Sequence, residues 1–397
     1  MHSHSIHKPI NAMQFSNQFC SELTQVRRAF HALAEMSKVE TKSAAKVIEE
    51  LLKLSPTNII ANVGGTGIVA EFDSGVAGPK VLFRAELDAL PIQEINTFAH
   101  KSCTDGVSHK CGHDGHLATV LGTAQIVAAN RPKKGKVYLL FQPAEETGSG
   151  AQAMLDDPLF ASVQPDYVFA YHNVPGYPLG QVILRKGAMN ASVRSIIIKF
   201  FGKTSHAAEP ECGISPALAI AQLLTTFDGF SNNTKTRTDF RVITPVHMNM
   251  GEVAYGVAAG YGELHLTIRT WTEEEMQSLI ADMTKAIEET TAAHKLTYET
   301  EWVEIFVSCG NKDEAVDLLE ASAIASQCPY VHFDLPFKWG EDFGHFTSRF
   351  PGAFFCIGAG VDSPALHNPD YDFPDEILAT GLNMFTGVLL NPVLGMY

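Results

Sequence analysis

The sequence predicts an α/β fold in which a domain with a mixed, partly parallel sheet flanked by helices carries a smaller, inserted α+β domain. Three observations lead there. Short apolar, strand-like runs alternate with helical patterns, as they do in sheets with parallel order. Ligand-type residues recur just past the carboxyl ends of four such runs, where open α/β sheets place their sites. The texture changes near Gly187 and reverts near Val303, after which site-like residues return between Trp339 and His367. The expected division is therefore 1–187 and 303–397 for the first domain and 188–302 for the insert. A chain of 397 residues is long enough for two domains, each burying its own core.

In order, the stretch from about Met13 to Leu54 reads as two helices, the second spanning Thr41 to Leu54. Strand-like runs follow at Gly67–Phe72, Val81–Arg84, Val137–Phe141 and Tyr167–Ala170. The Ala-rich apolar run from Leu117 to Ala129 reads as a buried helix. Within the insert, Ser195–Phe200 is a strand, Pro216–Phe230 a helix, Gly262–Thr270 a half-buried alternating strand and Thr272–His294 a long amphipathic helix. That gives a β-α-β-α order. Ala353–Ile357 is the strand expected after the return.

Hydrophobic residues make up 45% of the chain and charged ones 18%, an ordinary globular balance. Lys and Arg total 29 against 44 Asp and Glu, a formal charge of −15. So acidic a surface repels nucleic acid and anionic lipid, which excludes both as expected partners. No apolar run approaches the roughly 18 residues of a spanning helix. The segment Met1–His7 lacks the apolar core of a secretory signal, and its three histidines read as a frayed polar tail. Seven scattered cysteines without a C-x-x-C pair fit reduced thiols in the cytoplasm. Six of them are expected as small buried apolar side chains.

The seventh, Cys111, opens Cys111-Gly112-His113-Asp114-Gly115-His116, which puts a thiol, two imidazoles and a carboxylate at the mouth of the buried helix. Thiolate and imidazole suit borderline-soft divalent metals. A Cys-x-His pair alone is more often incidental. The other strand ends change the balance: Asp88 follows one, Glu145-Glu146 another, His172 a third, and His367 lies beyond a fourth. In Glu145-Glu146 one acid can hold metal while the other acts as general base toward a metal-bound water. Cys111, His113, Glu146, His172 and His367 are too many donors for one tetrahedral zinc with an open position, and they suit two metals sharing ligands. His206 and the acidic turn at Glu341-Asp342 are ambiguous on pattern alone. The glycine-rich Asn62–Gly67 stretch precedes a strand rather than a helix, so it is no phosphate loop.

Arg84-Ala85-Glu86-Leu87-Asp88-Ala89-Leu90-Pro91, Lys110-Cys111-Gly112-His113-Asp114-Gly115-His116 and Phe141-Gln142-Pro143-Ala144-Glu145-Glu146 together resemble one family. It is the dinuclear-metal amidohydrolases related to aminoacylase and carboxypeptidase G2. The branch is that of the N-acyl-amino-acid amidohydrolases, hippurate hydrolases and indole-acetyl-amino-acid hydrolases. The likeness runs from Arg27-Arg28 and His31 to Leu366-His367-Asn368-Pro369. It implies a catalytic domain with two metals and a lid domain that commonly also mediates dimerisation. It also implies Cys111, His113, Glu146, His172 and His367 as ligands, Glu145 as general base, His206 as the lid residue steadying the oxyanion, and Asp88 behind the ligands. Asp342 matches an E-D-F motif near the site. One departure stands out: Gly256-Val257-Ala258-Ala259 replaces the branch's usual Asn-Val-Ile-Pro-like lid segment, which leaves substrate identity open.

The expected activity is metal-dependent hydrolysis of the amide bond of N-acyl amino acids or similar conjugates, by a metal-bound hydroxide with Glu145 as base. The expected cofactors are two divalent ions per chain, zinc or manganese, with cobalt and nickel also compatible. The partner is a small molecule, with a homodimer through the lid. A dipeptidase or aminopeptidase of the same superfamily is the alternative, and a non-catalytic binding homologue stands behind it.

Overall fold

The computed structural model describes residues 15–397. The histidines of the amino-terminal tail and the start of the first helix, expected at Met13, lie outside the described residues. The chain divides into two compact units. One takes the stretches up to Met189, Cys309–Asp334 and Asp342–Tyr397; the other takes Asn190–Ser308 and Leu335–Glu341. These junctions lie a few residues beyond 187 and 303, and the short 335–341 segment joins the second unit.

The first unit holds an eight-stranded sheet. Its spatial order is Asn58–Val63, Gly67–Asp73, Lys136–Gln142, Lys80–Glu86, Tyr167–Val174, Gly352–Gly358, Val182–Leu184 and Tyr330–His332. The four strands from Lys136–Gln142 to Gly352–Gly358 run parallel, and antiparallel pairs flank them. Parallel strands covered on both faces read as unbroken apolar runs. Lys80–Glu86 and Lys136–Gln142 accordingly are buried at every position after the first. Helix His113–Ala129 is buried from His113 to Ala124 and packs in the same core as Leu382, Phe385 and Val388 of helix Leu378–Leu389.

One strand differs from the sequence expectation in a way that matters for the site. Tyr167–Val174 runs four residues past Ala170 because it pairs with Gly352–Gly358, Cys356 opposite His172 and Ile357 opposite Asn173. His172 therefore stands on a strand rather than in the loop after it. The partner that extends the strand lies about 180 residues away in sequence, beyond the reach of local pattern.

The second unit corrects the β-α-β-α expectation to β-α-β-β-α-β, a ferredoxin-like order. Its sheet runs Arg241–Met250, Tyr261–Thr270, Ser192–Phe201, Thr297–Phe306, with every neighbour antiparallel. Leu264, Leu266 and Ile268 alternate inward onto helices Ala217–Phe230 and Glu273–Ala293. Pro245 and mixed polarity mask Arg241–Met250 in the sequence. It is an edge strand with an irregular register at Pro245, where a missing N–H is tolerated. The cysteine expectation also needs correction. Of the six besides Cys111, Cys309 and Cys356 are buried, Cys20 and Cys328 are intermediate, and Cys103 and Cys212 are exposed.

A buried charge network ties helix Asn17–Leu33 to helix His113–Ala129. Arg27 pairs with Asp114 at 3.1 Å, Asp372 at 2.7 Å and Asp375 at 2.8 Å. His31 bridges Asp114 (2.9 Å) and Glu94 (3.1 Å), and Lys110 reaches Glu94 at 2.6 Å. Burial opposes charge on His31, but Asp114 and Glu94 outweigh it and raise its pKa from 6.5 to about 9. A pKa raised on folding stabilises fully below the unfolded value and is lost as pH climbs through the folded one. Stability should thus fall between about pH 6.5 and 9, by on the order of 1–3 kcal/mol. Urea midpoints across that range check it, and His31→Gln should lack this component.

Candidate metal centre

The carboxyl ends of the parallel strands deliver the site. Lys80–Glu86 leads into Asp88, Lys136–Gln142 into Glu145 and Glu146, and Tyr167–Val174 carries His172 itself. Cys111 and His113 sit on either side of Gly112, whose φ of 97° starts helix His113–Ala129. A Cβ at Gly112 would stand 2.4 Å from Asn173 Oδ1, so only glycine allows the motif to approach the strand this closely. His367 arrives from the loop after Gly352–Gly358, held in a left-handed conformation (φ 65°) while its N–H donates to the Lys110 carbonyl at 2.8 Å.

Cys111 Sγ lies 3.3 Å from His172 Nε2 and 3.4 Å from His367 Nε2. His113 Nε2 is 3.7 Å from both Glu145 Oε2 and Glu146 Oε1, and His367 Nε2 is 3.8 Å from Glu146 Oε2. Three overlapping donor groups result: Cys111-His113-His172, Cys111-Glu146-His367 and His113-Glu145-Glu146. Cys111 belongs to two of them.

The imidazole tautomers follow from their partners. His113 Nδ1 meets the Asp88 carbonyl at 2.9 Å, and His172 Nδ1 meets the Asn173 carbonyl at 2.7 Å. A carbonyl only accepts, so each Nδ1 donates and each Nε2 is left to face the centre. His113 Nε2 and Glu146 Oε1 are buried with no hydrogen-bond partner. Two orphaned acceptors facing one another fit a cation between them, and the sulfur, nitrogen and oxygen donor set suits a divalent metal.

The electrostatics agree. Burial pushes the Cys111 thiol up, reinforced by Glu146 and Glu145, and burial likewise raises Glu146. Burial disfavours charge on His113, yet Asp88, Glu86 and Glu146 raise its pKa to about 10. His172 is driven well below its usual range by burial, with His116 and His113 adding to it. Acidic groups and a thiol are packed here around the imidazoles. A bound dication would reverse the tendencies at Cys111, Glu146 and His113, favouring thiolate, carboxylate and neutral imidazole, and would act with burial at His172, which already favours the neutral ring.

Asp88 braces the cluster. Its Oδ2 accepts from Ser37 Oγ (2.7 Å) and the Glu146 N–H (3.0 Å), and its Oδ1 lies 3.3 Å from His113 Nδ1. Asp342 is completely buried and accepts from Arg84 Nη2 (2.8 Å), Gln142 Nε2 (2.7 Å) and the Ala151 N–H (2.9 Å). It ties two strand ends together without facing the donor groups.

Sequence reasoning assigns no site role to Arg84, Glu86 or His116. Arg84 pairs with Glu86, and His116 lies between Glu86 Oε2 (2.8 Å) and Asn173 Oδ1 (2.6 Å). Two local signals mark them. Arg84 and Glu86 are charges at i and i+2 in an otherwise apolar strand, and His116 follows His113 by one helical turn. His206 belongs to the second unit, exposed on the short strand Ser205–His206. That strand pairs with Val257–Ala258, Val257 opposite His206, so the altered Gly256–Ala259 segment is its direct neighbour.

With this geometry established, known proteins supply the relationship. A family model for peptidase family M20/M25/M40 matches residues 82–391. The chain belongs to that family. An N-acetyl-L-cysteine deacetylase of Bacillus subtilis is 30% identical over 371 residues, covering 93% of this chain and 87% of the relative. The hippurate hydrolase of Campylobacter jejuni is 29% identical over 375 residues, 93% of this chain and 96% of its own length. Among solved structures, a Bacillus subtilis dinuclear metal binding peptidase from the M20 family superposes with a TM-score of 0.81 at 27% identity. The match covers 96% of this chain and 100% of that one. Among the described residues, no helix is long and apolar enough to cross a membrane.

Proposed function

We propose that this M20-family chain is a metal-dependent amidohydrolase that cleaves the linear amide bond of an N-acyl amino acid or a similar conjugate. The observation that carries the reading is the position of Glu145, with Oε2 3.7 Å from a His113 Nε2 that has no hydrogen-bond partner. The relatives' names, N-acetyl-L-cysteine deacetylase and hippurate hydrolase, support an N-acyl substrate.

Cys111, His113, Glu146, His172 and His367 would hold two divalent ions. When bound, such ions supply Lewis acidity toward water and the amide carbonyl. Zinc suits the mixed donors, and manganese, cobalt or nickel are compatible. Glu145 takes a proton from the attacking water and delivers it to the amide nitrogen as the C–N bond breaks, so the amine leaves neutral. Asp88 keeps the His113 ring and the Glu146 backbone in place while this happens. To His206 we assign the hydrogen bond to the tetrahedral oxyanion, a contact whose loss costs about 2.7–4 kcal/mol of activation energy. The resemblance and the exposure of His206 support that role.

We further propose a homodimer through the second unit. Its edge strand Arg241–Met250 exposes Val246, Met248 and Met250, and Val253 and Tyr255 beyond it are 90% and 96% exposed. An unpaired edge beside exposed apolar side chains is a surface that proteins normally cover. The free thiols suit a reducing compartment, and we assign the protein to the cytoplasm on that ground.

A metal-reconstituted assay should show hydrolysis of N-acylated amino acids but not of dipeptides with a free α-amino group; the opposite preference would move the protein to the dipeptidases. Glu145→Gln should abolish turnover with metal content near two per chain, and His206→Ala should lower kcat by about 10²–10³-fold. A Glu145→Gln variant that keeps most of its activity sinks the assignment of the base. Cys111→Ala should lose bound metal by elemental analysis; unchanged stoichiometry refutes its ligand role. Sedimentation velocity should give a dimer that Met248→Lys converts to monomer, whereas a monomeric wild type removes the dimer.

A further inference from the structure

We propose that Glu40 is a positioning residue whose buried carboxylate fixes the backbone at Ala144 and thereby aims Glu145. The inference rests on the reading of Glu145 as the base. Glu40 immediately precedes helix Thr41–Leu52, yet its side chain makes no capping bond to that helix. Completely buried, it turns the other way. Its Oε1 accepts from the Ala144 N–H at 2.9 Å and from the Lys38 N–H at 2.8 Å, and its Oε2 accepts from Thr66 Oγ1 at 2.7 Å.

Both backbone donors to that one oxygen stand in the left-handed region, Lys38 at φ 72° and Ala144 at φ 50°. Residues bearing a Cβ avoid this region unless their surroundings hold them there. For Ala144 the holding groups can be named. Its carbonyl accepts from the N–H groups of Ser149 (3.3 Å) and Gly150 (3.1 Å), and its N–H belongs to Glu40. Two residues on, the Glu146 N–H belongs to Asp88 at 3.0 Å. Glu145 thus stands between two backbone amides, each claimed by a different fully buried carboxylate. Ser37 donates to Asp88 from the same short segment that carries Glu40.

The turn also has space into which it can relax. A cavity of about 260 Å³ is lined by Lys38, Thr66, Pro143, Ala144 and Ser149 among others. Without an acceptor at position 40, nothing on that side keeps Ala144 left-handed, and a rotation there swings the Glu145 side chain directly. Misplacement of a reacting group by about 1 Å costs on the order of 10²-fold in rate.

The test uses the metal-loaded, full-length enzyme and an N-acyl amino acid that it hydrolyses. Glu40→Met keeps the bulk and removes both acceptors; Glu40→Gln keeps a carbonyl oxygen able to accept from both N–H groups. Glu40→Met should lower kcat by about 10²-fold with KM within about twofold and metal content unchanged, and Glu40→Gln should recover most of the turnover. A purely structural role would instead lower the folded fraction and leave kcat per folded molecule intact. If Glu40→Met does not fold, Glu40→Asp, which withdraws the carboxylate by one methylene, should still fold and lose about 10-fold in kcat. Wild-type kcat in the folded Met or Asp variant overturns the proposal, as does a Gln variant no better than Met. Glu145→Gln separates the two levels of failure. If that variant is active, the base assignment fails; if it is inactive while Glu40 variants turn over normally, only the role of Glu40 fails.

Discussion

Buried negative charge at the carboxyl edge of a parallel sheet is the constraint on which the rest of this structure depends. Glu86, Asp88, Glu145, Asp342 and the Cys111 thiol are all buried in one region of the first unit, and Glu146 is nearly so. Burying an ionised carboxylate costs several kcal/mol unless a partner meets it. The chain supplies partners for part of the set: Arg84 for Glu86 and Asp342, and His116 for Glu86. Cys111, Glu145 and Glu146 lie among the imidazoles of His113, His172 and His367. Divalent cations held by these donors would add positive charge at this edge, in agreement with membership of the M20 family and with the likeness to a dinuclear metal binding peptidase of that family.

The supports behind that region are rigid. His113 and His172 each spend Nδ1–H on a backbone carbonyl, which leaves neither ring free to rotate away. Glu145 is bracketed by the bonds that Glu40 and Asp88 make to its neighbours, and His367 is pinned through its own N–H to the residue before Cys111. Three of the positions involved, Lys38, Ala144 and His367, carry a Cβ in left-handed backbone. Such strain survives only where several bonds over-determine it. The Arg27-His31-Asp114 network serves the same end from behind by locking the first helix to the helix that begins with His113.

The second unit follows a different logic. Its alternating strands bury one sheet face against two helices, while the edge strand stays uncovered. The pairing of Val257 with His206 means that the segment in which this chain departs from its branch bears directly on the backbone of the proposed oxyanion donor. Ala258 and Ala259 there are small, so the strand beside His206 presents little side-chain bulk.

Much of this architecture is legible in the order of the amino acids. Cys111 to His116, Glu145-Glu146 and the strands preceding the acids announce themselves because ligand chemistry and apolar periodicity are local properties of a chain. The core strands are legible for the same reason: buried on both faces, they cannot avoid being apolar throughout. Other features have no local signature. The strand Arg241–Met250 carries Pro245 and polar residues because it is an edge, and His172 lies on a strand only because Gly352–Gly358 pairs beside it. Arg84 and Glu86 stand out as charges within an apolar strand, but their partners Asp342 and His116 are set by the fold alone. The sequence by itself determined which donors the protein owns and which elements carry them. Only the tertiary structure decided which donors come within reach of one another, which carboxylates meet the protein's own cations, and that Glu40, a residue without any motif, bonds to the turn beside Glu145. Those outcomes depend on distances between residues tens to hundreds of positions apart, and such distances exist only once the core has closed.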